Sequence, residues 1–93
     1  MVHVLIERRI ADGMTSTYEA LARKALHRTY IAAGFISGEA FIDAYNDNYR
    51  FLLCKWRSEQ DWRRWFESEE RTELTNKIAP ILQEPERVTI LKN

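Results

Sequence analysis

With 93 residues, and 14 Lys plus Arg set against 14 Asp plus Glu, the chain makes one domain, residues 1–93, without net charge. Hydrophobic residues make up 45 % and charged residues 30 %, a globular balance, and the even charge leaves no electrostatic footprint for nucleic acid. The single cysteine, Cys54, excludes an internal disulfide. No run is long enough to span a membrane, and Arg8 and Arg9 stand where a signal peptide needs apolar residues, so the expected location is cytoplasmic.

Residues 2–10, "VHVLIERRI", read as a strand. One face carries Val2, Val4, Ile6, Arg8 and Ile10 and should pack on helices; the other carries His3, Leu5, Glu7 and Arg9. "STYE", 16–19, has the spacing of a capping box, with Ser16 as acceptor and Glu19 reaching back. The helix it opens has an apolar stripe at Tyr18, Leu21, Ala22, Ala25, Leu26, Thr29, Tyr30 and Ala33, and Gly34 should stop it. "FISGEAFIDAY", 35–45, alternates: Phe35, Ser37, Glu39, Phe41, Asp43 and Tyr45 share one face, and the other is mostly small. "NDN", 46–48, predicts the turn into a third strand, "YRFLLCKWR", 49–57, and so an antiparallel hairpin.

Ser58 predicts an N-cap, with Glu59 and Asp61 in the acidic first turn. Trp62, Trp65 and Phe66 follow on one side of the helix. Ser68 before "EE" predicts a restart, with helix through Leu74 and Ile78 and an end near Pro80. "RVTILK", 87–92, predicts the fourth strand. The order βαββαβ predicts a ferredoxin-like α+β fold, a four-stranded antiparallel sheet with helices on one face.

These landmarks, with "DG" at 12–13, "AAGF" at 32–35 and "LLCKWRSEQDWRRWFES" at 52–68, resemble the antibiotic biosynthesis monooxygenase family of the dimeric α/β-barrel superfamily. The resemblance implies that two sheets pair into a shared barrel. The residues independently favour a homodimer, because the helix-free face would carry Leu5, Phe35, Phe41, Tyr45, Tyr49, Phe51 and Leu53, too much apolar surface to leave in water. The resemblance also implies oxygenation of an aromatic or quinol-like substrate without metal or cofactor. Such chemistry needs an apolar slot, a base and a group that stabilises an anion. Glu7 and Glu39 are the candidate bases. His3 and Arg9 are candidate substrate-binding groups, and Trp65 matches the position of a ligand-lining helix tryptophan in haem-degrading relatives.

Those relatives also use a first-strand asparagine and a ligand histidine. Here the corresponding positions hold Ile6 or Glu7, and Thr75, which disfavours haem degradation. No metal-ligand constellation, phosphate loop or nucleophile elbow is present in the sequence. Two further functions stay open: a non-catalytic ligand-binding or stress-related dimer of the same fold, and a haem binder with altered ligands. Plain packing is the alternative role for the tryptophans, and a cavity between the second helix and the first strand is where Trp65 would meet a ligand.

Overall fold

A computed structural model describes residues 1–93. The elements are β1 (Val2–Arg9), α1 (Thr15–Thr29), β2 (Phe35–Asp43), β3 (Asn46–Trp56), α2 (Glu59–Phe66), α3 (Glu69–Ile78) and β4 (Arg87–Leu91), with a short 3₁₀ turn at Ala79–Ile81. The strands form one antiparallel sheet in the order β2-β3-β1-β4, the ferredoxin-like arrangement, with the second helical segment broken in two at Ser68. No helix is long and apolar enough to cross a membrane.

Strand alternation sorts the residues. Val2, Val4 and Ile6 of β1 and Cys54 and Trp56 of β3 point towards the helices and join Trp62 and Trp65 of α2 in the main core. A second cluster, Ile10, Tyr18 and Ile78, seals α1 and α3 to the end of β1. Ser58 and Ser68 cap α2 and α3 as their positions predict: the hydroxyls accept from the Asp61 amide at 3.1 Å and the Arg71 amide at 3.2 Å.

Four local expectations change. Helix α1 ends at Thr29, capped at Tyr30, and not at Gly34; turns over 30–34 lead into β2. The capping box does not form: α1 starts at Thr15 behind Met14, with no side-chain cap, and Glu19 bonds Arg50 instead. The chain reverses at Ala44–Tyr45, ahead of "NDN", because the Asp43 carboxylate accepts the Tyr45 amide at 2.8 Å and so builds the turn itself. Tyr45 is thereby carried to the tip of the hairpin, 98 % exposed. Phe35 also changes face. A register shift between Phe35 and Ser37 sets Phe35 opposite Trp56, and its ring packs edge-on to that indole with centroids 5.3 Å apart. A bulge adds one residue and so inverts the alternation expected before it.

The helix-free face therefore carries His3, Leu5, Glu7 and Arg9 of β1, Ser37, Glu39 and Phe41 of β2, Tyr49, Phe51, Leu53 and Lys55 of β3, and Arg87, Thr89 and Leu91 of β4. Its middle is apolar and half-buried, with Leu5 opposite Leu53 and Phe41 opposite Phe51.

Candidate active site

Arg8 and Arg50 follow the same alternation as the core residues beside them, so both project under the helices. The β1–β3 register puts them directly opposite each other. Like charges in that position repel unless each has a partner. Arg8, 6 % exposed, donates from Nε to Glu86 Oε2 at 3.0 Å and from Nη1 to the Tyr18 hydroxyl at 3.2 Å. Arg50, 8 % exposed, donates from Nε to the Asp47 carbonyl at 2.6 Å and from Nη1 to Glu19 Oε1 at 3.0 Å. Glu86 is shared with Arg71 of α3, which reaches its other oxygen at 2.6 Å. Burial works against charge on Glu86, but the two guanidiniums outweigh it and hold the carboxyl below its ordinary range. The triad of Arg8, Glu86 and Arg71 keeps one net positive charge under the sheet.

Beside these arginines lies a cavity of about 380 Å³ between α1 and the β2–β3 hairpin. It exists because Ala22 and Ala25 of α1 and Ala40 of β2 are too short to fill the gap. Leu26, Ile42, Phe51 and Leu52 complete the apolar walls, and Arg8, Arg50, Tyr18, Glu19 and Arg23 supply its polar groups. An apolar pocket with a few convergent polar groups is the usual form of a small-molecule site.

The residues singled out from sequence lie elsewhere, in two groups and one isolate. Glu7 accepts the Tyr49 hydroxyl at 2.7 Å, a bond that pushes the Tyr49 phenol above its usual pKa. Arg9 lies over the Tyr49 ring, 4.1 Å from its centroid, so Glu7 and Arg9 meet through Tyr49 on the helix-free face. His3 and Glu39 share a hollow of about 290 Å³ on that same face with Ser37, Leu53 and Lys55. Trp65 sits on the opposite side of the sheet, buried in the main core. Its edge borders a cleft of about 200 Å³ with Ala32, Ala33, Asp61, Arg64, Ser68 and Glu70. That cleft opens between α2 and the α1–β2 connection, not between α2 and the first strand.

Two remaining reactive positions are occupied structurally. Burial pushes the Cys54 thiol up to about 11, which keeps it protonated and inert. Thr75, where haem-degrading relatives place a ligand, donates its hydroxyl to the Arg71 carbonyl at 3.0 Å. No three His, Cys, Asp or Glu side chains converge to hold a metal ion.

Arg8, Tyr18, Glu19 and Arg50 were not singled out by sequence reasoning. Tyr18 reads as one more member of an apolar stripe and Glu19 as a capping residue. The signal available was strand phase: an arginine in step with Val2, Val4 and Ile6, and another in step with Leu52, Cys54 and Trp56, must be buried and must have a reason to be there.

The model of the family described as antibiotic biosynthesis monooxygenase matches residues 1–76. No curated protein matches the chain. Among solved structures, a conserved protein from Methanosarcina mazei Go1 superposes with a TM-score of 0.92 at 14 % identity, covering 99 % of this chain and 91 % of that one. A protein from Mycobacterium tuberculosis gives 0.88 at 20 % identity, covering 99 % and 93 %. SnoaB, a cofactor-independent oxygenase from Streptomyces nogalater, gives 0.86 at 11 % identity, covering 99 % and 92 %. At these identities the structural likeness is one of fold. The family match over residues 1–76 is what places the protein: the chain belongs to the antibiotic biosynthesis monooxygenase family.

Proposed function

We propose that this chain is a cofactor-independent monooxygenase acting on an electron-rich aromatic or quinol-like substrate bound in the α1–β2–β3 cavity. The observation that carries the reading is the cavity of about 380 Å³, apolar along its walls and flanked by two buried guanidiniums and the Tyr18 hydroxyl. A phenol or hydroquinone bound there loses a proton, and its anion passes an electron to dioxygen. The radical pair recombines to a hydroperoxide. Loss of water then leaves one oxygen atom on the ring.

Arg8 supplies positive charge to the anion. Tyr18 already accepts from Arg8, so its own proton is available to donate to the substrate oxygen. Glu19 is the one carboxylate among the lining residues and takes the first proton. SnoaB, an oxygenase of this fold, supports the reaction class.

A second reading places the chemistry on the helix-free face, where Glu7 holds the Tyr49 hydroxyl at 2.7 Å and His3 and Glu39 share a hollow. In the first reading that face is instead the seam of a homodimer completing an α/β barrel. Leu5, Phe41, Phe51 and Leu53 gain about 1.5–3 kcal/mol each when fully covered. The unpaired, buried Cys54 fits a reducing, cytoplasmic setting.

Oxygen uptake with 1,4-naphthohydroquinone and isotopically labelled dioxygen tests the reading. Wild-type protein should exceed the spontaneous rate and place one labelled atom in the product. Glu19→Gln should lower the rate about a hundredfold, with Glu7→Gln near wild type. The reverse ranking would move the site to the helix-free face. No turnover with any hydroquinone, despite binding, would leave a non-catalytic ligand-binding dimer.

A further inference from the structure

The cavity carries more positive charge than its own carboxylate balances. Arg8 and Arg50 face each other across β1 and β3, each more than nine-tenths buried. Arg23 adds an exposed third cation at the rim, and Glu19 is the sole anion lining the space. Glu86 lies behind Arg8 and is divided between that residue and Arg71.

The Arg50–Glu19 pair is lopsided. Arg50's side chain is 9 % exposed, whereas that of Glu19 is 49 % exposed and hangs from the solvent side of α1. Glu19 meets the guanidinium through one oxygen on Nη1, and Nη2 makes no hydrogen bond within the protein. A guanidinium binds a carboxylate best through two parallel bonds from its fork. Glu19 uses half of that geometry, from a side chain that can swing into water. A ligand carboxylate entering along the apolar walls would use all of it, in a less polar setting where the attraction is stronger.

We propose that the cavity selects aromatic carboxylates, whose carboxylate displaces Glu19 from Arg50 while the ring system lies against Ala22, Ala40 and Leu52. This rests on the reading of the cavity as the substrate site and narrows the substrate to an amphipathic monoanion. It also explains why an opposed arginine pair is kept at the end of an apolar pocket: the ligand's charge relieves the repulsion. Glu19 then satisfies Arg50 when the site is empty, and once displaced from the guanidinium it stays at the cavity rim, free to take the substrate's proton.

Titration calorimetry with 2-naphthoate and its neutral analogue 2-naphthamide tests this on the full chain. The naphthoate should bind at least about tenfold more tightly than the amide. Glu19→Gln, checked for folding by its unfolding midpoint, should tighten naphthoate binding relative to the amide. Arg50→Gln should erase the preference. Equal affinity of the two compounds for wild type, or a Glu19→Gln protein that binds naphthoate more weakly, overturns the proposal while the pocket stands. Failure of both compounds to bind overturns it together with the substrate-pocket reading. A clear naphthoate preference in a protein that consumes no oxygen upholds the proposal and removes only the oxygenase reading.

Discussion

Trp56, Trp62 and Trp65 differ in what each seals. Trp56 is fully buried at the end of β3, edge-on to Phe35 and Trp62, with an indole N–H that finds no partner. An orphaned donor costs about 1–3 kcal/mol, which the packing around the ring must offset. Trp62 lies under the Arg71 guanidinium, 5.4 Å from its carbon. Trp65 closes the core beneath α2. Trp65→Ala should therefore cost about 3–5 kcal/mol in urea unfolding, and the variant should still bind aromatic ligands, since the α1–β2–β3 cavity lies elsewhere. Gly34 has φ +87, and a β-carbon there would run into the buried Asp61 carboxylate, itself held by Arg57 and Ser58. Gly34→Ala should thus lower stability by more than about 1 kcal/mol, read from the unfolding midpoint. The glycine's left-handed turn was legible from its place between helix and strand, although α1 ends at Thr29, five residues before it, and not at Gly34. Its contact with Asp61 was not, because that depends on how α2 docks.

A charged clasp ties β1 to α3. Glu86, in the connection before β4, holds Arg8 of β1 and Arg71 of α3 together. Glu86→Gln should cost about 3 kcal/mol, because it leaves two buried guanidiniums without their anion. The carboxyl's pKa is lower in the folded protein than in the unfolded chain. Its stabilisation is therefore complete above the ordinary glutamate range, about 4.3, and is lost as pH falls through the lower folded value. Unfolding followed from pH 6 to pH 2 should show this acid loss in the wild type and a flatter limb in Glu86→Gln. Element order was legible because alternation, N-cap serines and helical spacing all agree. Phe35's face was not, because a bulge is one residue of register that no pattern announces. The Ala44–Tyr45 reversal was missed for a related reason, since Asp43 builds the turn through its own side chain ahead of the more turn-like "NDN".

For the whole molecule, the sheet divides two kinds of surface. The helix-free face is apolar in the middle and charged around it, the surface on which the proposed homodimer would close. Leu53→Glu should convert a sedimenting dimer to monomer, since it sets an unpaired charge amid Leu5, Phe41 and Phe51 and beside Glu39. Leu53 is the better choice than Phe51, which also lines the cavity. A wild-type monomer at micromolar concentration would contradict the seam. The helix-covered side holds the cavity, and its position was the least legible part of the molecule. It arises from what Ala22, Ala25 and Ala40 fail to fill once α1 settles over the hairpin, and small residues in a sequence read equally well as close packing.

Filling that space tests whether the cavity is the active site. Ala40→Trp places an indole in the cavity without altering Arg8, Tyr18, Glu19, Arg50 or the helix-free face. Labelled oxygen incorporation from 1,4-naphthohydroquinone should fall to the spontaneous level in a variant whose sedimentation and unfolding midpoint stay close to wild type. Undiminished incorporation by a folded Ala40→Trp protein would contradict the assignment of the active site to this cavity.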